Sequence, residues 1–404
     1  MSQPCATHPQ ASHVVHEITP VFNEYSRVLL LGTIPSPKSR QQGFFYGHPQ
    51  NRFWRVLAAL FDEPLPETIE EKRDLCLRHH LALWDVLSSC NIKGASDASI
   101  TNAQPNDLSQ IIKNAPIQTI ITTGVKAGQL YHRLCESVTG MPCSVLPSTS
   151  PANSRVSFSE LCEAYRQALA PYIEFDPSYP TLDVPEVVNL EQTIAKTGTS
   201  LYTLMHRAGK FLAYETEKFA KQQSKLSQRI VVLCGHGNNG GDGWVAAEYL
   251  AKTGFDVDLI SSLEAQDIKA EPAHTTACEQ TENLETYPNA RILINPTYEE
   301  VEQSLSQADL IIDALLGTGF SGDTIREPFA TWITLSDQSN LPIVAADVPS
   351  GFSAQTGNAA TPCIRAAHNV TMIALKTGLT HPNAQKYCGT IRVAPLIDTT
   401  PYLA

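Results

Sequence analysis

Residues 235–243 read GHGNNGGDG, between an apolar run and a helical pattern. Glycines let a backbone turn sharply and approach a ligand closely. The first-turn N–H groups of a following helix favour phosphate. Asn238, Asn239 and Asp242 interrupt the common dinucleotide fingerprint, and their side chains add partners for a polar ligand. A turn needing glycine for geometry alone would not require so many polar groups. Two carboxylates point the same way. Asp313 ends an apolar run in DLIIDALLGTGFSGD, where a second glycine-rich loop runs from Gly317 to Asp323, and Asp347 ends another in VAADVPSG. Parallel sheets bind ligands at the C-terminal ends of their strands, although a single strand-end aspartate is commonly a helix cap. Earlier in the chain, GFFYGHPQNRFWRVL places Phe44, Phe45 and Tyr46 beside His48 and Asn51. A pocket for a flipped nucleobase needs such aromatic faces beside hydrogen-bonding groups. Lys38, Arg40, Arg52 and Arg55 lie close in sequence and could contact phosphates. The plainer alternative makes the aromatics core and the cations solvated.

Strands alternating with helices must position these residues. Apolar runs at 27–31, 117–123 and 143–146 read as strands, and 51–60, 125–136 and 157–172 as helices. Farther on, 229–234, 257–260, 310–314, 342–346 and 370–375 read as strands, and 200–220 and 243–253 as helices. The pattern predicts an α/β fold: two doubly wound three-layer αβα domains with mainly parallel sheets. Residues 171–185, PYIEFDPSYPTLDVP, hold four prolines and predict an extended connection. The expected division is a first domain over 1–175, a linker over 176–186 and a second domain over 187–404.

Charge separates the two parts. The 404 residues carry 29 Lys and Arg against 41 Asp and Glu. Residues 1–175 hold 14 basic and 15 acidic side chains, leaving 29 − 14 = 15 basic and 41 − 15 = 26 acidic for the rest. A net charge of −11 excludes a cationic nucleic-acid coat on the second part. The near-neutral first part leaves room for a local basic groove. No apolar run is long enough to span a membrane, and the N-terminus lacks the pattern of a secretory signal. Ten cysteines without a C-x-x-C pair argue against zinc ribbons and iron–sulfur clusters, and fit the reduced thiols of a cytoplasmic protein.

The segments GHGNNGGDGWVAAEYLA, IIDALLGTGFSG, ADVPSGFSAQTG and TMIALKTGL, in this order and spacing, resemble the NAD(P)H-hydrate epimerases, the YjeF N-terminal domain family, over about 190–400. That resemblance implies interconversion of the R and S forms of hydrated NADH and NADPH (NADHX and NADPHX). It implies that Asn238, Asn239, Gly240, Gly241 and Asp242 hold the hydrate's phosphates and ribose. Gly317, Thr318, Gly319, Phe320, Ser321, Gly322 and Asp323 would share that role, with Asp347 near the damaged ring. Asn239, Asp313 and Ser350 match the family's potassium ligands. The chemistry needs an acid for the departing hydroxyl and a base for incoming water, and Asp347 is the candidate for both. The sequence departs from the family pattern at His206 and Arg207 in LMHRAG and at Ala367 and Asn369 in AAHN. The resemblance also implies a homodimer. It further implies a separate NAD(P)HX dehydratase acting on the product, since many relatives continue into such a domain.

In the first part, GTIPS at 32–36, the 43–57 stretch, WDVLSSC, GASDASI and LPSTSPAN resemble the uracil-DNA glycosylase superfamily, most closely its hypoxanthine-DNA (deoxyinosine) glycosylase branch, over about 13–172. GTIPS lacks the carboxylate or asparagine that many members carry there. The resemblance assigns the catalytic amide to Asn51, which would position a water or stabilise the departing base. Phe45 or Tyr46 would stack on the base beside His48. Ser148, Thr149 and Ser150 match the second motif, a loop pressed against the DNA backbone. Damaged DNA is then the partner, and no metal or cofactor is needed. Alternatives remain: a non-catalytic nucleotide-binding second domain, a glycosylase as the only active part, or an ordinary NAD dehydrogenase lacking G-x-G-x-x-G.

Overall fold

The computed structural model describes residues 11–175, 179–223 and 229–403. Two compact units divide the chain, Met1–Pro177 and Ser178–Ala404. The first unit contains β1 (Ser12–Val15), β2 (Val28–Gly32), β3 (Leu81–Asp85), β4 (Leu87–Ile92), β5 (Thr101–Pro105), β6 (Thr119–Thr123) and β7 (Cys143–Leu146). A four-stranded parallel sheet has the order β3-β2-β6-β7. The VLLLG of β2 is buried at every position, as a central parallel strand covered on both faces must be. Its register with β3 places Gly32 beside Asp85. The helices Phe53–Phe61 and Phe158–Leu169 direct apolar faces into the same core. Ser157 and Glu160 close a reciprocal cap at the start of the second.

An antiparallel sheet, β1-β4-β5, stands beside the parallel one and was not visible in the alternating pattern. Its strands are short and polar, and the β4–β5 pairing shifts register between Leu87 and Asn91. No clean two-residue hydrophobic period survives such shifts.

The second unit adds β8 (Thr181–Leu182), β9 (Arg229–Cys234), β10 (Asp256–Ser261), β11 (Ala290–Ile294), β12 (Leu310–Ala314), β13 (Ile343–Ala346), β14 (His368–Met372), β15 (Leu375–Lys376) and β16 (Thr390–Ala394). Seven strands form one parallel sheet in the order β11-β10-β9-β12-β13-β14-β16. The chain winds outward from β9 through β10 to β11, then returns to β12 on the other side of β9. The crevice at the C-terminal ends of β9 and β12 is therefore the topological switch point, where such sheets bind ligands.

Two expectations need correction. Of the proposed linker over 176–186, residues 176–178 lie outside the described residues. Thr181–Leu182 pairs with Leu375–Lys376, and Val184–Lys196 is a helix with Pro185 in its first turn and an Asp183–Glu186 capping box. Proline suits that position because its missing N–H has no intrahelical partner there. The helix expected over 243–253 spans Asn238–Lys252 instead, so NNGGDG opens the helix rather than forming a loop before it. No helix among the described residues is long and apolar enough to cross a membrane.

Candidate active sites

Close approach explains most of the glycines after β9. A β-carbon on Gly235 would overlap the Leu315 carbonyl oxygen, one on Gly240 would overlap the carbonyl oxygen of Gly235, and one on Gly243 would stand 2.7 Å from Ala314 Cβ. None of the three has a left-handed backbone. Glycine here lets the helix start press against the strand ends, aiming its unpaired first-turn N–H groups into the crevice. Asn238 is exposed there, while Gly240, Gly241 and Asp242 are buried.

The loop after β12 lies between the three predicted potassium ligands. Asp313 is fully buried and accepts from the Ser350 N–H at 2.7 Å and the Ser350 hydroxyl at 2.6 Å. The Leu316 N–H donates to Ser350 Oγ at 2.9 Å. A β-carbon on Gly317 would lie 3.0 Å from Asn239 Cβ. Both polar atoms of the Asn239 amide are buried without a partner. An orphaned buried amide is costly, and an amide oxygen beside a carboxylate and a hydroxyl suits a hard cation. These residues therefore fit a bound potassium ion. Burial pushes Asp313 up to about 6, opposed by its bonds from Ser350 and Leu315. Ser321, Gly322 and Asp323 are exposed, and Thr318 and Phe320 half-buried, in a loop whose Phe320 N–H bonds Gly317.

Asp347 follows β13 with a left-handed backbone, φ 63°. A non-glycine residue held there signals a constrained site. Its Oδ1 receives Lys376 Nζ at 2.5 Å, Thr371 Oγ1 at 3.1 Å and the Met372 N–H at 3.4 Å. The Asn369 amide donates to its carbonyl at 3.0 Å. Oδ2 has no hydrogen bond among the described residues. Lys376 is 1 % exposed and also donates to Thr371 Oγ1 and the Met372 carbonyl. Two further carboxyls belong to this cluster. Burial, reinforced by the charges of Asp347 and Glu191, raises Asp242 well above the usual range despite Lys376. Burial also raises Glu191 to about 7, opposed by Lys376 and assisted by Asp347.

In the first unit a cleft of about 970 Å³ brings together Phe45, Tyr46, His48 and Asn51 with Ser148, Thr149 and Ser150. Tyr46 stacks on Phe53 with centroids 3.7 Å apart, so only its other face can meet a base. Its hydroxyl is 3.0 Å from Thr123 Oγ1. Phe44 is buried against Trp54 and does not line the cleft. His48 Nδ1 accepts the Gln50 N–H, and Asn51 Oδ1 accepts the Phe53 N–H at 2.9 Å. The serine-rich loop is tied by the Asn153 amide on the Ser148 carbonyl.

Two cations expected on phosphates are used otherwise. Arg52 donates to the carbonyls of Val156 and Asn153, holding the loop after β7. Arg55 lies over the Phe158 ring at 5.1 Å. Arg40 and Arg155 line the cleft, while Lys38 is exposed.

Sequence reasoning missed Lys376, Thr371 and Glu191 in the second unit, and Asp85 and Asp97 in the first. Lys376 carried a signal, a lysine in the apolar run TMIALKTGL. Asp85 carried the strand-end signal that singled out Asp313 and Asp347. Glu191, one acid on an amphipathic helix, carried none.

The second unit is thus a doubly wound α/β protein with its polar constellation at the switch point. The chain belongs to the YjeF-related family: residues 201–378 match the model described as YjeF-related protein N-terminus. The NAD(P)H-hydrate epimerase of Pirellula staleyi is 32% identical over 203 residues, covering 50% of this chain and 86% of that protein. The bifunctional NAD(P)H-hydrate repair enzyme Nnr of Escherichia coli K12 is 36% identical over 192 residues, covering 48% of this chain and 34% of that protein. The chain thus spans about a third of that bifunctional relative. Residues 19–171 form a domain of the uracil DNA glycosylase superfamily. A solution structure of a putative uracil DNA glycosylase from Methanosarcina acetivorans is 30% identical, covers 38% of this chain and 96% of that one, and has a TM-score of 0.34.

Proposed function

We propose that the second unit epimerises the R and S hydrates of NADH and NADPH. The observation that carries this reading is Asp347, its Oδ1 clamped by Lys376 and its Oδ2 open, beside the glycine-paved helix start at the switch point. The carbon that inverts bears a hydroxyl next to the ring nitrogen. Its C–O bond breaks as the nitrogen lone pair forms a planar iminium, and the oxygen leaves with a proton as water. Water then adds to either face and gives up a proton, restoring the hydrate. Asp347 Oδ2 serves both proton transfers, with the raised carboxyls of Asp242 and Glu191 as neighbouring proton stores. Lys376 has no free N–H left for substrate, since its three bonds stay within the protein. Its task is to orient Asp347.

The first turn at Asn238–Asp242 and the loop at Gly317–Asp323 receive the phosphates and ribose. Asn239, Asp313 and Ser350 would hold potassium, which would supply a fixed positive charge to the site. The unit acts as a homodimer in the cytoplasm.

The first unit, in the same reading, excises deaminated bases, hypoxanthine or uracil, from DNA. Phe45 or Tyr46 stacks on the flipped base beside His48, and the 148–150 loop meets the backbone. Asn51 uses its oxygen on Phe53, so its amide nitrogen is the atom left to stabilise the departing base.

The test is conversion of purified R-NADHX to the S form, followed by chromatography with and without potassium. The hydrate epimerises slowly unaided, so Asp347→Asn is the control. The expected outcome is potassium-stimulated conversion about 100-fold faster than that variant. Equal rates would remove the assignment.

A further inference from the structure

The cleft of the first unit contains a carboxylate to which the reading above gives no task. Asp85 ends β3, is 5 % exposed and sits beside Gly32 in the sheet register. Its two oxygens have different surroundings. Oδ2 is 2.9 Å from His16 Nε2. His16 Nδ1 accepts the Ile18 N–H at 3.2 Å, so the ring proton resides on Nε2 and is donated to Asp85. Oδ1 has no hydrogen bond among the described residues. It lies over Gly32 Cα, where a β-carbon would overlap it, with the Tyr46 hydroxyl 3.7 Å from the same point.

Gly32 opens the loop GTIPS, which contains neither a carboxylate nor an amide side chain. The neighbouring strand therefore supplies the acceptor that this loop lacks, and the missing side chain at Gly32 makes room for it. Asn51 cannot readily do the same work, because its oxygen caps the Phe53 N–H and its nitrogen can only donate. Asp97, the other acid of the cleft, accepts from Thr33 Oγ1, and burial holds its carboxyl above the usual range.

We propose that Asp85 is the base that activates water in the first unit, a role that rests on the glycosylase reading of that cleft. Oδ1 takes a proton from the water as its oxygen bonds to C1′ of the deoxyribose. The C1′–N bond breaks and its electron pair leaves with the base. The proton passes from Asp85 through solvent to the departed base, so the sum is hydrolysis. His16 is a positioning residue that turns Oδ1 toward the water by holding Oδ2.

The experiment uses the full chain and duplexes containing a single uracil or hypoxanthine. Base release is read as alkali-labile strand cleavage under single-turnover conditions, with duplex affinity and thermal unfolding measured in parallel. Asp85→Asn keeps shape and the bond to His16, so it should lower the rate about 100-fold or more while affinity and melting hold. Gly32→Ala, which displaces the carboxylate without removing it, should also lower the rate with binding retained. It serves as the test if Asp85→Asn does not fold. His16→Gln, whose amide can still donate to Oδ2, should retain the rate that His16→Phe loses. Release by the wild type that is undiminished in Asp85→Asn and Gly32→Ala would overturn the role of Asp85 alone. No release by the wild type from either duplex would overturn the glycosylase reading, and the role of Asp85 with it.

Discussion

Lys376 and Asp347 form a buried ion pair, an arrangement that adds little net stability of its own. Burying two charges costs roughly what their attraction returns, but removing one partner strands the other at a cost of about 3–5 kcal/mol. Lys376→Met should therefore lower thermal stability and, with Oδ2 no longer aimed, cut kcat for R-NADHX about 100-fold. KM should change little, because the lysine touches no substrate; a KM effect alone would place it in binding. Glu191 gives a second expectation. Its folded-state value of about 7 lies above the ordinary 4.5 of a free glutamate. The native state thus holds a proton that the unfolded chain has already released between those two values. That contribution is complete below pH 4.5 and is lost as pH rises through 7. The loss amounts to about 3 kcal/mol at most, from 1.36 kcal/mol per unit. Denaturant unfolding from pH 4.5 to 8 should show wild-type stability falling relative to Glu191→Gln, with the difference levelling above pH 7.

The glycines after β9 illustrate how elements meet. Gly240→Ala would drive a methyl group into the carbonyl oxygen of Gly235, a backbone atom that cannot rotate away. We expect a loss of about 2 kcal/mol or more by thermal or denaturant unfolding, in the range of overpacked cores, together with weakened substrate binding. Gly237→Ala, where nothing lies within 4 Å of the new methyl group, should be far milder. The strand–helix rhythm and the strand-end aspartates were legible because parallel strands buried on both faces read as continuous apolar runs. The helix start at Asn238 was not, since three glycines and two asparagines among its first six residues have poor helix propensity; close packing against β12 decides it. Lys376 and Glu191 escaped notice for a related reason. Their meaning lies in a junction of β15, the helix Val184–Lys196 and Asp347, which local patterns do not encode. Arg52 shows the reverse failure: local basic clustering pointed to phosphate, but its guanidinium is taken by carbonyls about a hundred residues away.

The whole chain joins two constellations that share no side chain. Asp347, Lys376, Asp313 and the glycine-paved helix start lie within Ser178–Ala404, and Asn51, Tyr46, His48 and the 148–150 loop lie within Met1–Pro177. The charge balance follows the same division, with −1 on residues 1–175 (14 − 15) and −11 on residues 176–404 (15 − 26). DNA should therefore engage the near-neutral part, through the few cations at its cleft such as Arg40 and Arg155. Few neutralised phosphates mean a shallow dependence of affinity on salt. Each activity should then be removable by itself. Asn51→Ala should abolish release of uracil or hypoxanthine from duplex DNA while R-NADHX is epimerised at the wild-type rate. Asp347→Asn should do the opposite. Both assays on one preparation of each variant would decide the matter: loss of both activities in either variant would show that the two sites depend on each other, contrary to the separation of their residues.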